Sequence, residues 1–317
     1  MIRDLFFLLI IILNILFSLF FKEIEISNTE KIIIRPGMKL DEITENLYEK
    51  EIITNKILFK VWVKINAAER KLKFGEYLFD NPVSINFFLK KLIEGKSFNR
   101  KITIIEGSSK NDLLNLLKQI DPTNSLELKD ISNEIIADTY FYKVSDDSKK
   151  ILENITLISK NVANKIWENR DKKIPLLKIE EMFILASIVE KETFLKKEKS
   201  LISGVFYNRF EKNMKLQSDP TVVYAITKGK KKMTRKLLRK DLKIDSKFNT
   251  YKYKGLPPEP ICIPGLGSLE GTTKPFKSNY LYFVSKNKKD EGHIFATSYK
   301  EHLKNIKKVR KAKDADE

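Results

Sequence analysis

The alternation of apolar and polar positions changes period several times along the chain. Leu5–Phe21 is an unbroken apolar run of seventeen residues in which only Asn14 and Ser18 are polar. That length sits at the short limit of the roughly 17–25 residues a bilayer-spanning helix needs. No small-x-small cleavage signal follows it, since Phe20, Phe21, Lys22 and Glu23 come next. An uncleaved anchor is therefore favoured over a cleaved signal peptide or a buried core helix. Arg3 and the α-amine precede the run, Asp4 offsets them and Lys22 lies beyond, so charge specifies its orientation only weakly.

After the run, KIIIR (31–35) reads as a short strand closed by the turn pair Pro36-Gly37. Leu40, Ile43 and Leu47 recur at helical spacing, and a second helical stretch follows over 56–66. FGEYLF (74–79) reads as extended and 85–93 as another amphipathic helix. Strand–helix–helix–strand over about seventy residues implies a small α+β module. KITII (101–105) with a helical pattern over 111–117 loosely repeats that opening. The polar stretch 121–150 reads as helices and connecting loops, and a helical region from Ile151 runs towards Pro175.

The next block is LASIVEKET (185–193), where the apolar or small run 182–189 ends in Glu190, Lys191 and Glu192. On a helical wheel Ile179, Met182, Phe183 and Ala186 share a side with Glu190 and Thr193. Glu192 lies about 200° from Glu190 at 100° per residue, so the two acids do not converge. A carboxyl that continues an apolar stripe loses hydration, which raises its pKa and suits it to donate a proton near neutral pH. The alternative is an ordinary helix-end Glu paired with a lysine. Further on, 201–210 reads as a helix, 221–225 as a short one, and GLPPEP (255–260) as irregular, because three prolines remove donors. SNYLYFV (278–284) and HIFA (293–296) read as a hairpin, and 298–311 as a closing helix before a charged tail.

Composition narrows the classes. The chain has 317 residues, 42% of them hydrophobic, with 20 Phe and 11 Tyr, which argues for folded domains rather than disorder. The net charge of +18 invites a nucleic-acid reading. The lysines are spread along the whole chain rather than gathered on one face, so that reading is set aside and no nucleic-acid partner is expected. Cys262 is the only cysteine and His293 and His302 the only histidines, so no disulfide or cysteine-based zinc site is expected, nor any metal or cofactor. The run 228–240 is rich in lysine and reads as a solvated loop and helix face, with a patch for anionic polymer as its alternative. Gln217-Ser218-Asp219-Pro220 and Asn249-Thr250-Tyr251 read as helix caps and Asx turns, or as hydrogen-bonding groups for sugar hydroxyls. His293, in a strand-like segment, has no partner nearby in sequence.

Taken in order, LASIVEKET (185–193), VFYNRF (205–210), MKLQSDPTVVYA (214–225), FNTY (248–251), GLPPEPI (255–261), YLYFVS (280–285) and GHIFATSYKEH (292–302) resemble the endolytic murein transglycosylases of the YceG/MltG type. IRPGMKLDEITENLYEKEII (34–53), FGEYLF (74–79) and KKLIEG (90–95) look like that family's LysM-like module. The departures are Phe248 in place of Tyr, and Glu259 and Ala225 in place of Gly.

The resemblance implies an α+β protein with a single N-terminal transmembrane helix, a LysM-like subdomain and a mixed α/β catalytic domain. The corresponding boundaries are 1–22 for the anchor, 28–98 for the LysM-like module, 99–155 for a connecting region, 156–306 for the catalytic domain and 307–317 for a charged tail. It implies a lyase, single-pass in the cell inner membrane and facing the periplasm or cell wall, that cuts peptidoglycan glycan strands within their length and so terminates nascent strands. Penicillin-binding synthases are its implied partners. A noncatalytic glycan-binding scaffold that recruits synthases is the alternative. By residue-level correspondence Glu190 is the implied catalytic acid/base, and Gln217, Asp219, Asn249, Tyr251 and His293 are implied to line the substrate cleft.

Overall fold

The computed structural model describes residues 2–23, 30–79, 83–230, 233–286 and 291–316, and mixed helix and strand content gives an α+β protein. The chain divides into two compact units, Met1–Lys101 with Phe141–Asp146, and Ile102–Tyr140 with Asp147–Glu317.

The first unit opens with α1 (Ile2–Phe21), whose Arg3–Phe21 stretch is long and apolar enough to cross a membrane. Strand β1 (Glu30–Ile34) pairs antiparallel with β2 (Gly75–Phe79), in a register that sets Ile32 opposite Tyr77. Between them lie α2 (Leu40–Glu49) and α3 (Lys56–Ile65), and α4 (Ile85–Glu94) follows. Local chemistry fixes the ends. The Asn55 side chain accepts from Leu58 N–H at the start of α3, Ser84 accepts from Phe87 N–H at the start of α4, and Gly95 closes α4 at φ +71°. Ile32, Leu47, Phe59, Tyr77, Phe79 and Phe88 are completely buried and form the core. Buried Glu76 is matched by the Arg100 guanidinium at 2.7 Å.

Strands β3 (Arg100–Thr103) and β4 (Thr139–Tyr142) pair with each other, and the chain changes unit within each of them. β4 falls in the polar stretch read from sequence as helices and loops. In the second unit α5 (Lys110–Ile120) begins at a Ser109–Asp112 capping box, and α6 (Ser148–Glu168) begins on the Asp147 cap. The central element is α7 (Ile179–Glu192), buried continuously from Met182 to Glu190. A helix apolar on all sides must be enclosed on all sides. Packed against α7 are α6, α8 (Lys196–Glu211), α9 (Asp219–Thr227) and α10 (Leu266–Thr273). Where α10 crosses α8, Gly271 allows the approach, because a Cβ there would lie 2.9 Å from the Lys199 carbonyl carbon.

The hairpin forms between β5 (Tyr282–Ser285) and β6 (His293–Ala296), with Phe283 opposite Phe295 and Ser285 opposite His293. Its first strand starts later than the sequence pattern predicts, because the Ser278 and Tyr280 carbonyls accept instead from Asn208 Nδ2. α11 (Tyr299–Asp316) carries the helix through most of the stretch read as a charged tail. In the lysine run 228–240, positions 231 and 232 lie outside the described residues; Arg235 pairs there with Asp241 at 2.6 Å in an exposed setting.

Candidate active site

The two carboxyls delivered by the end of α7 meet opposite environments. Glu190 is buried, 3% exposed. The Lys199 ammonium, also buried, donates to both of its oxygens at 3.0 and 3.1 Å. Gly265 N–H and Ser268 Oγ donate to Oε2 at 2.9 and 2.6 Å. Lys199 also reaches Glu106 at 3.3 Å. Glu190 thus ties α7 to α8 and to the start of α10. A carboxylate saturated with donors, one of them a cation, satisfies the rule that buried charge must be paired. Three of these four contacts fall on Oε2 and one on Oε1.

Glu192, two residues on, is partly buried. It accepts a hydrogen bond from Ser218 Oγ at 2.5 Å, and among the described residues it forms no ion pair. Burial pushes its carboxyl up to about 7, with the Asp219 charge adding to the rise and the Ser218 bond and Arg209 opposing it. Glu192, which can hold a proton at neutral pH, is the carboxyl the wheel sets apart from the apolar stripe.

Ser218 is positioned by its backbone. Gln217 takes a left-handed φ of +49°, an uncommon conformation for a side-chain-bearing residue, and its N–H bonds to the Thr250 carbonyl at 3.2 Å. Ser218 N–H then meets Thr250 Oγ1 at 3.0 Å, and Thr250 Oγ1 meets Thr221 Oγ1 at 2.8 Å. This buried hydroxyl cluster holds the start of α9 under the end of α7. The Gln217 and Asp219 side chains stay exposed beside it. Tyr251 donates its hydroxyl to Asp219 at 2.6 Å, and burial, then that bond, pushes its phenol far above its ordinary value.

The remaining residues expected at the cleft, Asn249 and His293, have partners within the protein. Asn249 is fully buried; its amide donates to the Leu242 and Ile244 carbonyls and its oxygen accepts from Tyr251 N–H, so it shapes the loop. His293 is clamped by Glu198, which accepts from His293 N–H at 2.8 Å and meets Nδ1 at 2.7 Å. Thr193 Oγ1 adds to that carboxyl at 3.2 Å. Burial opposes the charge on Glu198, but these bonds outweigh it and hold the carboxyl below its usual range. Arg209 is buried, with Nε on the Leu281 carbonyl and Nη1 on the Leu216 carbonyl, and so joins the hairpin to the loop before α9. Sequence reasoning passed over Glu192, Ser218, Lys199, Glu198 and Arg209 as site residues. Their partners include residues 26, 72 and 95 positions away, beyond any local pattern.

Among the described residues no three His, Cys, Asp or Glu side chains gather as metal ligands would. The fold and this geometry define a site with one protonatable carboxyl at the end of a buried helix, faced by a polar loop. The chain belongs to the YceG-like family, whose model matches residues 32–308. It is 29% identical over 318 residues to a Bacillus subtilis (strain 168) protein named endolytic murein transglycosylase, across 90% of this chain and 86% of that one. A Streptococcus pneumoniae (strain R6) protein of the same name is 26% identical across 86% of this chain, which spans 57% of its length. A crystal structure of a YceG-like protein from Listeria monocytogenes superposes with a TM-score of 0.54 at 28% identity, covering 87% of this chain and 99% of that one.

Proposed function

We propose that the protein is a membrane-anchored endolytic transglycosylase of peptidoglycan, a lyase, and that Glu192 rather than Glu190 is its acid and base. The observation that carries this reading is the setting of Glu192: a desolvated carboxyl with one hydroxyl donor and a proton affinity near 7. The names of the relatives supply the substrate class.

Most glycosidases divide the work between two carboxyls. Here one suffices if the substrate supplies its own nucleophile. Protonated Glu192 donates to the oxygen joining N-acetylmuramic acid to N-acetylglucosamine. As that bond to C1 breaks, the C6 hydroxyl of the same muramic acid attacks C1. The Glu192 carboxylate then takes the hydroxyl proton and is restored. The products are a 1,6-anhydromuramoyl end and a free N-acetylglucosamine hydroxyl, and no water is consumed. An attack within one sugar ring gains the advantage of proximity, and a carboxyl poised near neutral pH can both give and receive the proton.

Exposed Gln217 and Asp219, with Tyr251 bonded to Asp219, are the groups best placed to meet sugar hydroxyls. Glu190 acts as a positioning residue, through its tie from α7 to α8 and α10. In this reading α1 anchors the chain, residues 28–98 form a LysM-like module, and the chain beyond the anchor faces the wall, where cleavage terminates strands made by penicillin-binding synthases.

The test incubates the full chain in detergent with glycan strands and separates the products by chromatography. Anhydro-ended fragments from the wild type, lost in Glu192→Gln, are expected. Glu190→Gln, measured beside it, should retain anhydro-ended product at a reduced level, because its amide keeps some of the bonds. New reducing ends would mean hydrolysis. Absence of cleavage by the wild type would favour a glycan-binding scaffold, and Glu192→Gln with full activity would sink the assignment of the acid.

A further inference from the structure

Helix α3 is apolar on two faces. Phe59 and Val63 point into the core of the first unit and are completely buried. Ile57, Val61 and Ile65, spaced four apart along the helix, are 74%, 42% and 65% exposed. Three large aliphatic side chains in one exposed stripe exceed the scattered surface apolars of an ordinary domain. A lysine row, Lys56, Lys60 and Lys64, runs beside them about 100° round the helix; within it Lys56 pairs with Glu45 and Lys60 with Asp41, both at 2.6 Å, and Lys64 is exposed.

The exposed stripe continues into α1. Phe20 stacks on Trp62 with ring centroids 4.0 Å apart, and Phe21 meets the same indole edge-on at 6.0 Å. Leu13, Phe17 and Phe21 of α1, with Ile57, Val61 and Ile65 of α3, line one open hollow of about 500 Å³. The hollow extends from Phe21 back to Leu13, about 12 Å along α1 at 1.5 Å per residue. Trp62 also borders it, and its indole N–H is buried without a hydrogen-bond partner among the described residues.

Length then decides where the stripe must lie. Nineteen residues of α1, Arg3–Phe21, span about 28 Å, and a hydrocarbon core is about 30 Å thick. An anchor this short has nothing to spare, so Leu13 to Phe21 must stand in hydrocarbon, and whatever shares a hollow with them meets lipid.

We infer that α3 is a second membrane contact, lying in the interface with Ile57, Val61 and Ile65 turned to lipid acyl chains and Lys64 at its flank turned to anionic headgroups. The occupant of the hollow is bilayer lipid. An apolar stripe with a lysine at its flank matches the pattern of interfacial helices, and the Trp62 ring beside it is of the kind enriched at that depth. The first unit would thereby be held flat on the bilayer rather than swinging from a tether. The inference rests on α1 being the anchor.

The test places a spin label on the full chain in vesicles of phosphatidylethanolamine and phosphatidylglycerol in equal parts. Single substitutions Ile57→Cys, Val61→Cys, Ile65→Cys, Lys64→Cys and, as a control on the anchor, Ile10→Cys carry the label. The native Cys262 is buried, and the unsubstituted chain gives the background. Each label is read for collision with oxygen, which partitions into lipid, and with a water-soluble nickel chelate. At 57, 61 and 65 the oxygen-to-nickel ratio should exceed that at 64 several-fold and approach that at 10. Nickel-accessible labels at 57, 61 and 65 with a lipid-like label at 10 would overturn the inference while leaving the anchor intact. Spin–spin broadening along the stripe would also overturn it, by showing a second copy on that face. A water-exposed label at 10 would instead remove the anchor itself, and the inference with it.

Discussion

Replacing Ser218 with alanine should move the pH dependence of cleavage upwards without abolishing cleavage. Glu192 rises from an ordinary 4.5 to about 7. At pH 7 about half of it is protonated, against roughly 0.3% for an unperturbed carboxyl, so its setting enriches the proton-donating form on the order of a hundredfold. Activity that needs this proton falls as pH rises through about 7, and the profile of kcat/KM reports the free enzyme. The Ser218 hydroxyl stabilises the charged form through its bond at 2.5 Å and so restrains the rise. A hydrogen bond to a charged group contributes about 1.5–3 kcal/mol, and about 1.4 kcal/mol corresponds to one pH unit. Ser218→Ala should therefore shift the alkaline limb up by about 1–2 pH units. The backbone bonds from Ser218 N–H to Thr250 and from Thr221 to the Ser218 carbonyl remain, so the loop keeps its shape. The assay is the initial rate of formation of anhydro-ended fragments from glycan strands between pH 5 and 10, for wild type, Ser218→Ala and Ser218→Thr. Thr keeps the hydroxyl and should keep the limb. An alkaline limb unmoved by Ser218→Ala, or displaced downwards, would refute the role of Glu192.

The same raised carboxyl makes stability depend on pH. Between 4.5 and about 7 the folded chain binds a proton that the unfolded chain has released, so stability falls as pH rises through this window, by about 3 kcal/mol at most. Glu192→Gln should flatten that slope and be the more stable form at pH 8 in denaturant unfolding. Lys199→Met should cost about 3–5 kcal/mol by stranding Glu190 in the core, with much of the loss recovered in the Lys199→Met, Glu190→Gln double variant; equal melting of wild type and Lys199→Met would contradict the pairing. Gly204→Ala would press its new methyl onto the Phe276 backbone carbonyl, whereas at Gly267 a methyl finds only ordinary contact with Lys199. Thermal melts should show a loss on the order of 1–3 kcal/mol for the first and little change for the second.

Features whose cause is local were legible in the sequence, and those set by distant partners were not. Spacing located α2, α3 and α4, because each presents one apolar face and its ends carry their own caps, as Asn55 and Ser84 do. β4 was hidden because Thr139–Tyr142 lies in a polar stretch and owes its form to β3. The start of α8 was hidden for a different reason. Lys196-Lys197-Glu198-Lys199 looks solvated, yet Glu198 and Lys199 are buried, one by the imidazole of His293 and the other by the carboxylate of Glu190. Asn249, expected at the cleft, has its amide taken up by backbone carbonyls, a fate no composition signals.

At the end of α7 the carboxyl that periodicity favours and the carboxyl that our proposal favours lie two residues apart and meet different surroundings. A carboxyl on the buried stripe is enclosed by the protein's own helices, and enclosure on that scale is tolerated only with full compensation. Lys199, Gly265 and Ser268 supply it. Deep burial on the packed face therefore selects for a paired carboxyl. Glu192 projects away from that stripe and is desolvated at the edge of the fold, where the 217–219 loop covers it with a single hydroxyl. Compensation there is incomplete, and incomplete compensation is what leaves a carboxyl holding its proton near pH 7. In the proposed reading one helix end supports both roles: Glu190 ties α7, α8 and α10 into a frame, and that frame holds Glu192 at a site where its charge is disfavoured until a substrate oxygen takes the proton.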